Sequence, residues 1–223
     1  MSHLNRLFLL TIVMTASIIG GCGQESSSAP ESKASSTGEA EVVGEAGPIR
    51  AVVRTRGGEF TIELRPDAAP VSCANFVNLV QRGFFDGLPF YRHSRVIRQV
   101  GNPYGDEQRP WNAGYRLTPE FSPDLKFDRA GMVGLLRSAD DIRAPVRPNE
   151  FFVTTKAQSE RFTFVYPIFA VVVEGQSVVD SIVKDETLVS IEIEGDPSKL
   201  LADHAEIIVE WNRRLDANDD PRK

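Results

Sequence analysis

The chain has 223 residues, with 25 lysines and arginines against 31 aspartates and glutamates and a formal charge of −6. A length of this order suits one globular domain of about 150 residues plus appendages. Mild acidity excludes a protein built around a basic phosphate-backbone footprint, so no nucleic-acid partner is expected.

At the N-terminus, Arg6 precedes an apolar run over 7–19 that ends in Ile19-Gly20-Gly21-Cys22. The run is short for a bilayer span, and its charged start and small-residue end fit a secretory signal over 1–21. That ending resembles a bacterial lipobox, in which the cysteine is lipidated and becomes the first residue of the mature chain. A lipid on Cys22 would tie the protein to a membrane surface without a spanning helix. The implied location is a bacterial cell envelope, with the soluble part in the periplasm. A plain signal peptide or an uncleaved anchor is the other reading of these residues.

Residues 22–48 are rich in Ser, Ala, Gly and Glu and lack apolar periodicity, the composition of a flexible tether. Two β-rich runs then meet at Gly57-Gly58, a hairpin signal. A helix is expected from about Pro70 to Arg82, closed by Gly83. On it Cys73, Phe76, Val77 and Val80 fall at i, i+3, i+4 and i+7, one apolar face. With Cys22 lipidated, Cys73 is a lone thiol, read as a small buried hydrophobe.

Strand-like runs follow near 88–92, 96–100, 132–136, 151–154, 168–174 and 189–194, with a second helix near 177–183. Many short strands and two internal helices predict a mainly β domain over 49–195, a closed antiparallel barrel or sandwich with helical plugs. Beyond it, over 196–223, Leu200, Leu201, His204, Ile207, Ile208, Trp211 and Leu215 recur at helical spacing. They predict one amphipathic helix of about four turns, read first as docking on the barrel and otherwise as a partner or membrane-surface helix, the mixed-charge polar face weighing against the membrane version. His204, on its apolar side, reads as packed.

The order of motifs carries a resemblance. "GGEFTIELRPDAAPVSCANFVNLVQRGFFDGLPFYR", "QVGNP", "GYRLTPEF", "LKFDRAGMVGL", "EFFVTT" and "FAVVVEGQSVVDSI" resemble, in family order, the segments of the cyclophilin family of peptidyl-prolyl isomerases. The resemblance runs from about Ile49 to Glu194. It implies an eight-stranded closed antiparallel barrel capped by two helices, and proline-containing polypeptide segments as substrates.

Rotation about an X–Pro bond must break amide resonance, a barrier of about 18–20 kcal/mol. The ground-state preference is small, so the task is one of rate. No metal, cofactor or nucleophile is called for. A dry pocket must hold the proline ring, and a donor must meet the prolyl nitrogen as it loses conjugation. Such a donor stabilises the twisted state more than the planar one. Arginine suits the role because its planar fork can be braced by a second acceptor while one donor stays free.

The resemblance puts Arg92, in Phe90-Tyr91-Arg92, at the family's catalytic arginine. It puts Phe152 on the floor of the proline pocket and Gln99 where a glutamine holds substrate and orients the arginine. Val96, Ile97 and Phe162 match wall positions. Glu150 stands where a glutamine is usual and Tyr166 where a histidine is usual. A Glu150–Arg92 pair would either brace the guanidinium or hold it off substrate. Arg95 and Arg98 match no functional position and are expected in solvent or loop contacts. The Arg92-to-Gln99 spacing is one residue shorter than usual, and "LRSADDIRAPVRPNE" replaces the family's backbone-binding segment. A second reading therefore keeps the fold but makes loop 137–149 the recognition element of a binding module with weak or no turnover.

Overall fold

A computed structural model describes residues 47–139 and 141–222. The expected signal segment, most of the tether and Cys22 lie outside the described residues. The elements, in chain order, are β1 (Arg50–Thr55), β2 (Gly58–Leu64), α1 (Pro70–Gln81), β3 (Arg92–His93), β4 (Ile97–Val100), β5 (Met132–Arg137) and β6 (Val146–Thr154). They continue with α2 (Ser159–Phe162), β7 (Ile168–Glu174), α3 (Gln176–Ser181), β8 (Leu188–Glu194), α4 (Ser198–Asp203) and α5 (Ala205–Asp216).

One 8-stranded antiparallel sheet runs in the order β3-β4-β6-β5-β7-β2-β1-β8. The closed barrel expected from the sequence is corrected here to a curled half-barrel, because the terminal strands β3 and β8 do not pair. The run at 88–92 yields one bridge, Pro89 to Thr187, and β3 itself has 2 residues. Proline has no N–H to extend a ladder. Single backbone bonds such as Phe90 N to Glu186 O at 2.8 Å and Leu188 N to Leu88 O at 2.8 Å stitch the seam instead.

Helix α1 begins with Pro70 at its first position, and Gly83 follows its end at φ 63°. The predicted face of α1 is inside: Cys73 and Val77 are fully buried, and Val80 packs against the same core. Phe76 meets Phe85, Phe151 and Phe169 at ring-centroid distances of 5.5, 5.7 and 5.1 Å. Burial of such a ring contributes about 1.5–3 kcal/mol.

Cys73 donates its Sγ–H to Phe169 O at 3.3 Å, and burial pushes its thiol pKa well up. With Cys22 replaced by serine, Cys73 is the chain's remaining thiol. It should resist a thiol reagent at pH 8 in the folded protein and react once denaturant unfolds it, because the thiolate is the nucleophile. Reaction at the unfolded-chain rate without denaturant would contradict this burial.

The tail differs from the single helix expected. It breaks at His204 into α4 and α5, where the His204 ring Nδ1 lies 2.8 Å from Leu200 O. The tail does dock, against α1 and the loop before β5. Trp211 is buried and stacks on Tyr115 (5.5 Å, 17°), and Asn78 and Asn212 exchange amide hydrogen bonds at 2.9 and 3.2 Å. Two further expectations shift: β6 extends back to Val146 through Pro148, and the one-turn α2 had no sequence signal of its own.

Candidate active site

Strand alternation divides β6 between two apolar clusters. Phe151 and Val153 enter the main core, while Phe152 belongs to a second cluster with Ile97, Phe127, Met132, Phe162 and Tyr166. The register then aligns the second face. Arg92 pairs with Gln99, Gln99 with Phe152, Phe152 with Gly134, and Gly134 with Ile168. Directly opposed residues share a face, so Arg92, Gln99 and Phe152 form one cross-strand row. The shortened β3–β4 connection is held by the Ser94 hydroxyl, which accepts from Val96 N and Ile97 N at 3.2 Å each.

Beside this row lies a cleft of about 320 Å³ whose lining includes Arg92, Val96, Ile97, Phe152, Phe162 and Tyr166. Phe152 forms its floor: its ring stacks on Phe127 (5.7 Å, 18°) and meets Phe162 and Tyr166 edge-on at 5.7 and 5.3 Å. Gly134 makes room for this stack. A Cβ there would meet Phe152 Cζ at 2.8 Å and Phe127 Cζ at 2.9 Å. Leu136, Arg95 and Arg161 complete the rim. Sequence reasoning missed Gly134, Leu136 and Arg161. Gly134 and Leu136 stand in the predicted β5 run, and alternation alone could have placed them on this face.

The Arg92 side chain is 43% exposed, at the mouth of the cleft. Its Nη1 donates to Gln99 Oε1 at 3.3 Å, and its Nε lies 3.4 Å from Glu107 Oε2. A smaller polar hollow of about 170 Å³ adjoins the cleft, sharing Arg92, Leu136 and Tyr166 and adding Gln99, Arg137 and Arg147.

Glu150 lines neither the cleft nor the hollow. It is fully buried beneath them, paired with Arg147 at 3.0 Å and accepting from the Tyr91 hydroxyl. The direct Glu150–Arg92 contact weighed from the sequence is replaced by one through Gln99, whose Nε2 lies 3.3 Å from Glu150 Oε2. Burial first, and then the Glu150 carboxylate, push the Tyr91 phenol far above its ordinary range, so it serves as a neutral donor.

Arg95 is exposed and reaches the cleft rim. Arg98, expected in solvent or a loop contact, makes a loop contact but is buried: on the opposite face of β4 it donates to Ser94 O at 2.5 Å, Ile97 O at 3.1 Å and Asp180 O at 2.8 Å. Its charge is met by these carbonyl dipoles, one of them from Asp180 in α3. Desolvation lowers its pKa from the usual arginine value.

The model of the family described as cyclophilin type peptidyl-prolyl cis-trans isomerase/CLD matches residues 50–199. The chain belongs to this family. Among cyclophilin relatives, peptidyl-prolyl cis-trans isomerase-like 1 of Mus musculus is 30% identical over 142 residues, covering 63% of this chain and 82% of its own length. The human protein of that name gives the same figures. Peptidyl-prolyl cis-trans isomerase cyp15 of Rhizopus delemar is 30% identical over 136 residues, but the chain spans 20% of its length. A Cryptosporidium parvum cyclophilin-type isomerase structure superposes with a TM-score of 0.59 at 22% identity, covering 68% of this chain and all of that one. This cyclophilin chain is thereby assigned to the peptidyl-prolyl cis-trans isomerases. Its α5 lies beyond the matched residues.

Proposed function

We propose that this cyclophilin turns X–Pro bonds of extended, proline-containing segments, with Arg92 donating to the prolyl nitrogen as the amide twists. The observation that carries the reading is the row Arg92–Gln99–Phe152. It sets a guanidinium at the mouth of a cleft whose floor is an aromatic ring and whose rim carries further arginines. The proline ring would lie on Phe152, walled by Ile97, Val96, Phe162 and Tyr166. Gln99 braces the guanidinium so that a donor is pre-aimed at the twisted state, where it counts most. The competing Arg92–Glu107 pair is exposed on both sides, and such pairs contribute about 0–1 kcal/mol, so a substrate can displace it. Exchange between cis and trans resonances of a short X–Pro peptide should accelerate with protein concentration. Peptide that binds without faster exchange would favour the binding-module reading, with loop 137–149 as its recognition element.

The same proposal extends to location: an exported protein held to a membrane of the cell envelope by a lipid on Cys22. Support comes from the apolar run 7–19 stopping at Gly20-Gly21-Cys22. Among the described residues no helix is long and apolar enough to cross a membrane. Cells fed a labelled fatty acid should label the wild-type protein and not Cys22→Ser. Label retained by the serine variant would remove Cys22 from this role.

A further inference from the structure

We infer that Glu150, held by Arg147 and Tyr91, is a positioning residue that fixes which end of the Gln99 side-chain amide faces Arg92. The inference rests on the isomerase reading only for its effect on rate. A glutamine amide has a donor end and an acceptor end that differ little in shape, so its neighbours decide its orientation. Here the neighbours are unequal. The Glu150 carboxylate, in its ion pair with Arg147 at 3.0 Å, offers only acceptors. It accepts the Tyr91 hydroxyl hydrogen bond, which leaves the phenol oxygen a lone pair toward Gln99. Both remaining acceptors point at one atom: Gln99 Nε2 donates to Tyr91 Oη and, at 3.3 Å, to Glu150 Oε2. The amide oxygen must then face away, and it accepts from Arg92 Nη1 at 3.3 Å.

The reverse orientation would set the carbonyl against the carboxylate and the NH2 against the guanidinium, acceptor on acceptor and donor on donor. Arg92 would lose its buried brace and be left with the exposed Glu107. Glu150, Tyr91 and Gln99 are all nearly or fully buried, so water has little access to scramble this order. A glutamine at 150 could donate or accept, and the order would no longer be imposed. This gives the carboxylate at 150 a purpose that substrate contact does not, since it lines neither the cleft nor the hollow.

The test uses the full chain with Glu150→Gln, alone and combined with Gln99→Ala, read by X–Pro exchange kinetics and by the Gln99 side-chain amide signals in NMR. Glu150→Gln should lower kcat about tenfold while KM stays within about twofold. In the Gln99→Ala background the same change should alter kcat less than about twofold, because Glu150 acts through Gln99. The two Gln99 amide protons should exchange slowly in the parent and rapidly in Glu150→Gln. Tyr91→Phe, which removes one hydroxyl, should give an intermediate loss. Equal kcat losses in both backgrounds would overturn the inference, as would Gln99 signals unchanged by Glu150→Gln. If the parent protein shows no turnover, the isomerase reading fails and the amide signals alone decide: protection lost upholds the positioning, and protection kept overturns it.

Discussion

Arg92→Ala is expected to lower kcat/KM on an X–Pro peptide by about 10²–10³-fold, the usual cost of deleting a donor aimed at developing charge. Thermal stability should hardly change. The side chain is 43% exposed, and its Glu107 partner is 48% exposed, so folding gains little from the pair. A loss of rate without loss of Tm separates chemistry from folding. Arg92→Lys should recover no more than about tenfold, because an ammonium is a compact point charge that cannot both donate to Gln99 Oε1 and present a second, coplanar donor. Line-shape or exchange NMR on one peptide, with a thermal melt of each variant, measures all of this. Equal rates for parent and Arg92→Ala would remove the residue from the reaction.

The row that contains Arg92 shows what a sequence can carry. The short apolar, β-rich run in "EFFVTT" and the period-3.6 spacing in "CANFVNLV" are local, and β6 and α1 appear where those patterns lie. Arg92, Gln99 and Phe152 were named by family resemblance. Their alignment follows from strand register, which two short runs about fifty residues apart do not encode individually. The features that local pattern leaves unexplained are those whose reason lies across the sheet. Arg98 looks like a surface charge until the carbonyls of Ile97 and Asp180 surround it. Gly134 looks like a weak point in a strand until two phenylalanine rings need its missing side chain. Arg147 looks like loop charge until Glu150 is found buried beneath the site. Pro89, by contrast, is a local signal: a proline within the 88–92 run demotes it from a ladder strand, and the run makes one bridge, to Thr187, in place of a ladder.

The glycine of "QVGNP" is the position where that cross-sheet dependence should cost most. Gly101 follows β4 at φ 111°, and a Cβ on it would meet Asn149 O at 1.9 Å and Glu150 Cα at 2.8 Å. Both obstacles are backbone of β6, so no rotamer change relieves them. The two strands are also tied there, with Asn149 Nδ2 donating to Gly101 O at 2.8 Å. Gly101→Ala is therefore expected to destabilise the domain by about 3 kcal/mol or more, lowering Tm by about 6–12 °C. It should also slow turnover beyond what the stability loss explains, because the displaced residue is Glu150 and the Gln99 brace moves with it. Gly87→Ala provides the contrast. Its φ is 77°, but a Cβ there meets nothing within 4 Å, so only backbone strain of about 1–2 kcal/mol applies. Urea melts of the two variants should thus differ by a clear margin, with kcat reduced in Gly101→Ala and close to the parent's in Gly87→Ala. Equal losses in both would mean that left-handed backbone strain, and not the closeness of β4 to β6, sets the requirement for glycine at 101.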